Sequence, residues 1–258
     1  MAESRRRPAL SARRRRLAAW IAGATLFALA SAVHAAPCRT QTYEGDRFVV
    51  CPYAPRDDRL ELGWRGPHGA LDSFAGLKDA LGPRAASVEF AMNAGMYETD
   101  QSPLGLLIVD GRTVRSLNRR SAAGNFYLKP NGVFWVDAAG VPHIDETETF
   151  AANPPHARWA TQSGPLLVDH GALNPQISAN GPSLLIRNGV GVRGGRAFFV
   201  ISDDAVSFGR FTRFLRDGLG CGDALFLDGS VSSLWAPAMG RQDARAGLGA
   251  FVIVLRRR

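Results

Sequence analysis

Short apolar segments bounded by turn residues recur along most of this chain and restrict the folds that it can adopt. Residues 60–64 alternate apolar and polar side chains at a period of two, which is typical of a β-strand. The same reasoning predicts strands at residues 48–51, 88–92, 104–109, 132–136, 141–144, 165–168, 184–186, 197–201, 224–227 and 251–255. Helical periodicity is convincing in only two segments. The first is short, is capped by Asp72 or Ser73 and has an apolar face of Phe74, Leu77 and Leu81. The second spans residues 207–219, with Ser207 as its cap and an apolar stripe of Phe208, Phe211, Leu215 and Leu219.

These elements show no regular alternation of strand and helix and no internal repeat. We therefore predict an α+β fold, a single domain with a mixed, mostly antiparallel β-sheet core and a few helices. The domain is expected to span residues 36–258.

The composition is that of a globular protein, and the positive charge is concentrated at one end. Of the 258 residues, 46% are hydrophobic and 21% are charged, which excludes a disordered, collagen-like or disulfide-scaffold protein. The net charge is +8, but residues 1–35 contain seven arginines and one acid. The remaining chain has 24 basic and 22 acidic residues, a net charge of +2. We therefore predict no nucleic-acid partner.

The N-terminal segment has the pattern of a secretory signal peptide. Four arginines at residues 13–16 precede an apolar run over residues 17–30, and small residues follow. The run is shorter than the roughly 20 apolar residues that a membrane-spanning helix needs. We predict a signal peptide over residues 1–35 and an exported protein, periplasmic or secreted, with no stable membrane span after cleavage. The alternative is an uncleaved N-terminal anchor.

The chain contains three cysteines, an odd number. Cys38 and Cys51 enclose a turn signal at residues 44–46, so a disulfide across a hairpin is feasible in an oxidising compartment. Cys221 is expected either to pair with one of these or to stay free in the core. No histidine lies near it in the sequence, so we do not predict a catalytic thiol.

Two familiar motifs occur without the context that their chemistry requires. Residues 189–194 have the pattern GxGxxG, but a strand follows instead of a helix, so the glycines are expected to form a hairpin. Residues 229–233 approach the GxSxG of serine hydrolases but lack its last glycine. None of the five histidines is at metal-ligand spacing, so we predict no cofactor. Nothing in the spacing demands a divalent cation at Asp228.

Five short segments of amides and glycines lie next to predicted strands. They are Ala91-Met92-Asn93-Ala94-Gly95-Met96-Tyr97, Lys129-Pro130-Asn131-Gly132-Val133-Phe134, Gln162-Ser163-Gly164-Pro165, Ile186-Arg187-Asn188-Gly189-Val190-Gly191 and Leu227-Asp228-Gly229-Ser230-Val231-Ser232-Ser233. Amides exchange hydrogen bonds with hydroxyl groups, and glycines let a ring approach the backbone. Amides with one arginine and one aspartate at strand ends therefore suit a sugar that carries an anion.

In this order the five segments resemble those of the phosphodiester glycosidase family, and the chain is similar to the exported bacterial branch of that family. The resemblance covers about residues 85–255. One departure is Met96, where the family pattern carries an aromatic residue. The resemblance implies a hydrolase that cleaves the bond between a sugar anomeric carbon and a phosphodiester oxygen, in cell-envelope or exopolysaccharide metabolism. Its partner would be a sugar phosphodiester or a polysaccharide.

The resemblance also implies roles for individual residues. Asp228 is the expected catalytic carboxylate, with Asp204 and Glu98 as candidates for the second carboxylate that glycosidases commonly use and Glu89 behind them. A single aspartate would suffice if the N-acetyl group of the sugar acted as the nucleophile. The predicted substrate-binding residues are Asn93, Gly95, Asn131, Gln162, Ser163, Arg187, Asn188, Gly229 and Ser230. Arg187 is expected to bind the phosphate, because a guanidinium pairs with two oxygens, and Lys129 is a further candidate.

Several of these residues have a structural alternative. Asp228 and Gly229 also form a turn signal, and Arg187 can pair across strands. Asn93 can serve a left-handed backbone position, and Gln162 can satisfy a buried backbone amide.

Two alternative functions stay open. One is a non-catalytic carbohydrate-binding or envelope-assembly protein on the same fold, and the other is an esterase that uses Ser230 or Ser232. A second carboxylate clustered with Asp228 near Arg187 would favour the glycosidase. A histidine within hydrogen-bond reach of a serine would favour the esterase.

Overall fold

Strands dominate the computed structural model, which describes residues 38–67, 69–245 and 247–257 together with Met1. In chain order they are β1 (Arg39–Tyr43), β2 (Asp46–Tyr53), β3 (Asp58–Gly63), β4 (Arg65–Gly66), β5 (Gly69–Ala70), β6 (Val88–Asn93), β7 (Leu107–Val109), β8 (Arg112–Arg115), β9 (Gly132–Val136), β10 (Pro142–Glu146), β11 (Trp159–Ser163), β12 (Leu166–Asp169), β13 (Ala172–Leu173), β14 (Asn188–Arg193), β15 (Arg196–Ser202), β16 (Asp223–Phe226), β17 (Leu234–Ala236), β18 (Arg241–Gln242) and β19 (Phe251–Arg256). The helices are α1 (Phe74–Leu81), α2 (Thr147–Ala152) and α3 (Phe208–Arg213), and α3 continues into a π-helical turn, Phe214–Gly218. Turns of 3₁₀ helix lie at Gly82–Ser87, Asn125–Tyr127 and Pro237–Met239.

Three larger sheets and one short hairpin organise these strands. The seven-stranded sheet has the order β1-β2-β15-β14-β16-β12-β13, and the two five-stranded sheets have the orders β10-β9-β11-β7-β8 and β18-β17-β6-β19-β3. Every ladder between the described strands is antiparallel. All of these elements belong to one compact unit, His34–Arg258. The predicted single-domain α+β fold with a mostly antiparallel core is confirmed.

The three larger sheets enclose a common apolar core. Phe199 on β15 lies 5.5 Å from Phe90 on β6 and 5.4 Å from Phe134 on β9, measured between ring centroids. All three rings are fully buried. One side chain of the seven-stranded sheet therefore contacts both other sheets, and burial of such rings is a main source of stability.

The two predicted helices cover outer faces of the sheets. Ser73 caps α1 by accepting a hydrogen bond from the backbone N–H of Gly76, and Ser207 caps α3 in the same way. The apolar stripe of the second helix packs on the seven-stranded sheet, where the Phe211 ring lies 6.3 Å from that of Phe48. Phe214, outside the predicted stripe, also stacks on Phe48 at 4.1 Å. The predicted caps and apolar faces are confirmed.

One local prediction is wrong, and one helix was not predicted. Residues 184–186 form no named strand but only an isolated bridge between Leu185 and Val206, and Leu184 and Leu185 are exposed. The helix α2 was not predicted, because Glu146 and the acids near it have the composition of a solvated surface. In the structure the Glu146 side chain caps α2 by accepting from the backbone N–H groups of Glu148 and Thr149.

Cys38 and Cys51 form a disulfide that links the segment preceding β1 to β2, and Cys221 is free and buried. The predicted cross-hairpin pairing is confirmed. Residues 189–193 lie on β14 and lead through Gly194 and Gly195 into β15, so the hairpin interpretation is also confirmed.

The predicted signal peptide lies outside the described residues, apart from Met1. Among the described residues, no helix combines the length and apolar character that a membrane crossing needs.

Candidate active site

Four strand ends from the three larger sheets meet around Asp228, which lies two residues beyond β16. Asn188 begins β14, and its Nδ2 donates to the backbone oxygen and to Oδ1 of Asn93, the last residue of β6, both at 2.9 Å. The Asp228 N–H donates to Asn188 Oδ1 at 3.0 Å, and Asn93 Nδ2 donates to the Asp228 backbone oxygen at 3.2 Å. Ser163 at the end of β11 donates to the backbone oxygen of Leu227 at 2.6 Å. We call Asn93, Asn188 and Asp228 the amide cluster.

Two serines complete the amide cluster. Ser232 Oγ has acceptors at the backbone oxygens of Ile186 (3.0 Å) and Asp228 (3.3 Å). The N–H of Ser233 donates to Asn93 Oδ1 at 2.8 Å. The sequence analysis includes both serines in the segment that begins at Leu227, but it considers Ser232 only as a nucleophile and gives Ser233 no role of its own. Their position on a turn after a buried strand was the available signal.

The Asp228 side chain is a buried carboxyl group without a cationic partner among the described residues. Its Oδ1 accepts from the N–H of Ser230 at 3.1 Å, as in an Asx turn. Burial raises the pKa of Asp228 to about 6, and the Ser230 hydrogen bond opposes this only in part. The Tyr97 phenol lies within the electrostatic reach of Asp228, and its pKa is raised by burial and by that charge. A carboxyl group with such a pKa can exchange a proton near neutral pH.

Arg187, which precedes Asn188 of the amide cluster in the chain, is fully buried. Its Nε donates to the Val206 backbone oxygen and its Nη2 to the Ser183 backbone oxygen, both at 2.8 Å. The guanidinium carbon lies 3.7 Å from the ring centroid of Phe208, a cation–π contact. Among the described residues Nη1 has no hydrogen-bond partner. Burial lowers the Arg187 pKa to about 10, so the side chain stays cationic at neutral pH.

Arg187 pairs with neighbouring segments of the chain, as the structural alternative allows, but through backbone oxygens and not through a described carboxylate. Arg187 contacts backbone oxygens and aromatic rings, and no carboxylate is in its recorded contacts. A buried cation of this kind has an unmet capacity to bind an anion.

Most of the other predicted binding residues are buried and serve the protein itself. Gln162 Oε1 accepts from the N–H groups of Leu106 and Asn118, and its Nε2 donates to the Asn118 oxygen. Asn131 Nδ2 donates to the backbone oxygen of Phe126, and its Oδ1 accepts from Lys129. Gln162 therefore satisfies buried backbone amides, as its structural alternative predicts. The Lys129 ammonium is directed at Asn131.

At Gly95 and Gly229 neighbouring groups approach the backbone so closely that there is no room for a side chain. A Cβ at Gly95 would lie 2.4 Å from the backbone oxygen of Gln162, and one at Gly229 would lie 2.5 Å from the Phe226 ring. Of the predicted binding residues, Ser230 is the exposed one. Asn93 is not among the described residues with a left-handed backbone, so that alternative is excluded.

The structure does not bring the other candidate carboxylates into recorded contact with Asp228. Asp204 lies in the loop after β15 and accepts from the Arg47 N–H at 2.8 Å. Glu98 lies in the turn after Tyr97, and no side-chain contact is recorded for it. Glu89 is four residues before Asn93 on β6, or about 13 Å along a strand, and it contacts Arg256.

One group of possible metal ligands occurs among the described residues, at the β12–β13 turn. Oxygen and nitrogen atoms of Asp169, His170 and Asp223 lie within 4.8 Å of one another. The His170 side chain is 90% exposed, and the two aspartates raise its pKa. Asp223 begins β16 whereas Asp228 lies beyond its end, about 16 Å away along a strand. This cluster is therefore separate from the candidate active site.

Nothing in the described contacts supports the esterase alternative. His170 contacts Asp169 and Asp223, and His156 lines a groove beside β7 and β8. The recorded partners of the Ser232 hydroxyl are oxygen atoms of Ile186, Asn188 and Asp228, none of which is a general base for a serine.

Known proteins share both sequence and fold with this chain. A family model described as phosphodiester glycosidase matches residues 86–247. The uncharacterized protein YigE of Escherichia coli (strain K12) is 35% identical over 185 residues, which cover 70% of this chain and 71% of that protein.

Two solved structures show the same fold at low sequence identity. The catalytic domain of zebrafish N-acetylglucosamine-1-phosphodiester α-N-acetylglucosaminidase, auto-inhibited by its pro-peptide, matches with a TM-score of 0.57 and 15% identity, covering 86% of this chain and 82% of that one. A hypothetical protein from Synechocystis matches with a TM-score of 0.52 and 18% identity, covering 85% and 61%.

Proposed function

Since this chain belongs to the phosphodiester glycosidase family, we propose that it hydrolyses the bond between a sugar anomeric carbon and a phosphodiester oxygen. The observation that carries the proposal is the Asp228 carboxyl, with a pKa of about 6, held where strands of all three larger sheets end. Its backbone is fixed by the amide cluster, so the carboxyl group is positioned before substrate binds.

The reaction needs one proton acceptor and one stabilised leaving group. Ionised Asp228 accepts a proton from water as the water oxygen bonds to the anomeric carbon. The bond from that carbon to the phosphate oxygen breaks, and its electron pair leaves with the phosphate. A phosphate leaves readily as an anion, so the reaction does not depend on a strong general acid.

Arg187 is the group proposed to bind the departing phosphate. Its Nη1 has no partner in the described residues, and its charge is not neutralised by a carboxylate. Because the guanidinium is fully buried here, the proposal requires the groups that cover it to move when a phosphate binds. Predicted binding residues such as Asn93 and Gln162 then act chiefly by holding the strand ends in place.

The test measures free reducing sugar released from UDP-N-acetylglucosamine, an accessible N-acetylglucosamine α-phosphodiester. We expect release by the wild type and a loss of about 10³-fold or more in Asp228→Asn, the scale of an essential catalytic group. Asp204→Asn and Glu98→Gln are matched controls that remove other carboxylates and should stay within a few-fold of the wild type. Full activity in Asp228→Asn would reject this role, and a large loss in Glu98→Gln would identify a second carboxylate.

An exported location is part of the proposal. The cationic and apolar pattern of residues 1–35 and the Cys38–Cys51 disulfide both support it, because disulfides persist in oxidising compartments. The substrate there would be a sugar phosphate of the cell envelope or of an exopolysaccharide. Cell fractionation followed by N-terminal sequencing should find a chain that begins near residue 36 outside the cytoplasm.

A second candidate function is glycan binding without catalysis. It is favoured by one observation: no other carboxylate has a recorded contact with Asp228 or Arg187 among the described residues. A binding protein would retain the sugar phosphodiester in a calorimetric titration and release no sugar, and Asp228→Asn would bind it equally well.

A further inference from the structure

A groove lined mainly by arginines lies at the end of β19 that is remote from Asn93. Its volume is about 670 Å³, and its lining residues are Arg59, Pro83, Arg84, Ser87, Arg158, Leu255, Arg256 and Arg257. Five of these eight residues are arginines and none is acidic. The chain from residue 36 onward has a net charge of only +2, so this concentration of cations is local.

Carboxylates hold these guanidinium groups in place without filling the groove. Glu61 contacts Arg84 at 2.6 Å and Arg59 at 2.9 Å, and its side chain is 11% exposed whereas both arginine side chains are 54% exposed. Glu89 holds Arg256 in the same manner, with the acid mostly buried and the arginine exposed. Glu61 and Glu89 therefore lie beneath their arginines, whereas Arg158 pairs at 2.9 Å with Asp110, whose side chain is 64% exposed.

Each guanidinium retains free donors after these contacts. An arginine has five N–H groups, and the recorded pairs use one or two of them. Arg257 Nε donates to the Asp58 backbone oxygen at 2.8 Å, which also leaves its terminal nitrogens available to a ligand. Guanidinium groups that are already oriented lose little conformational freedom when they bind a phosphate bidentately.

The groove is too far from Asp228 to bind the phosphate that is cleaved. Phe251, at one end of β19, pairs with Asn93, and Arg256 is five residues further along, or about 17 Å. This spacing exceeds the length of one sugar phosphate. None of the lining residues is aromatic, so the groove lacks the stacking surface with which proteins bind single-stranded nucleic acid.

We propose that the arginine groove is a second anion site, which binds a phosphate group of a polymeric glycan while another part of the same polymer occupies the Asp228 site. Simultaneous occupancy of the Asp228 site by the same polymer rests on the proposed function, whereas phosphate binding at the groove does not. The experiment therefore measures the affinity of the groove for a phosphorylated polymer.

The experiment compares binding of phosphorylated dextran and unmodified dextran to the full chain by calorimetry. The groove variant is Arg59→Gln/Arg257→Gln, in which Glu61 keeps its contact with Arg84. The control variant is Arg115→Gln/Arg196→Gln, which removes the same charge from exposed positions outside the groove. We expect the wild type to bind only the phosphorylated polymer, with affinity about tenfold lower in the groove variant and within about twofold in the control variant.

Two further arms separate this proposal from the others. Asp228→Asn should bind phosphorylated dextran as the wild type does, so the binding result stands even if the hydrolase proposal fails. Vesicles of phosphatidylglycerol test a membrane surface as the source of the phosphate. The proposal would be overturned if both arginine variants lost affinity for phosphorylated dextran equally, or if the wild type did not bind it saturably. It would also be overturned if the groove variant lost binding to the vesicles but kept its affinity for phosphorylated dextran.

Discussion

The two ends of β19 differ in how nearby carboxyl groups are paired with cations. At the Phe251 end the neighbouring site buries Asp228 without a cation, and burial raises its pKa to about 6. Towards the Arg256 end, Glu89 and Glu61 form ion pairs with arginines whose side chains are exposed to solvent. The first arrangement keeps a carboxyl group reactive at a cost in stability, whereas the second satisfies its acids and keeps its cations available.

The largest effect is expected from removing the amide that holds Asp228 in place. Asn188→Ala leaves the Asp228 N–H and the Asn93 backbone oxygen without their partners inside the protein. We expect the free energy of unfolding to fall by roughly 4 kcal/mol, since several buried polar groups lose hydrogen bonds together. Urea unfolding measures this. Asn180→Ala in an exposed loop is the control, and a similar loss there would show that the amide cluster has no special structural role.

Neutralising Asp228 should stabilise the protein at neutral pH while removing activity. The folded pKa of about 6 lies above the ordinary value of 3.8, so the wild type loses stability as the pH rises from about 4 through 6. Asp228→Asn avoids this loss and keeps an acceptor for the Ser230 N–H. The expected gain is about 3 kcal/mol at pH 8 and close to zero at pH 3.5.

The control for this measurement is a carboxylate at the surface. Asp204 is half-exposed and accepts from Arg47, so Asp204→Asn should change the free energy of unfolding by less than about 1 kcal/mol. If Asp228→Asn gave no pH-dependent gain, the burial of Asp228 would carry no energetic penalty and the contrast between the two ends of β19 would disappear.

The pH dependence of the reaction tests the role of the same carboxyl group. A general base must be ionised, so kcat/KM should fall about tenfold for each pH unit below 6. The Asp204→Asn variant should show the same fall of kcat/KM below pH 6. A rate that instead falls above pH 6 would make Asp228 a general acid.

Much of the fold was predictable because local patterns agree with tertiary packing. The alternation over residues 60–64 and the serine caps Ser73 and Ser207 correspond to elements of the structure. The strand predicted at residues 184–186 failed because its apolar residues Leu184 and Leu185 are exposed and pair with no named strand. An apolar run alone does not show whether a partner strand is available.

The site was predictable in position but less so in the contacts of its side chains. The segments containing Asn93, Asn188 and Asp228 converge as expected of strand-end motifs. Composition alone could not show that the Gln162 amide would be hydrogen-bonded to backbone groups, or that Arg187 would be buried. Such outcomes depend on which loops cover a residue, and that is set by long-range pairing of strands.

The smallest effect is expected at the other end of β19. Arg59→Gln removes one exposed guanidinium from Glu61, which keeps its contact with Arg84. The free energy of unfolding should therefore change by less than about 1 kcal/mol, and less still in 1 M salt. The double variant Arg59→Gln/Arg84→Gln leaves the mostly buried Glu61 without these two cations and should cost about 2 kcal/mol more. If the single variant cost as much as the double, each arginine would be structurally required and this end of β19 would have no cation to spare for a ligand.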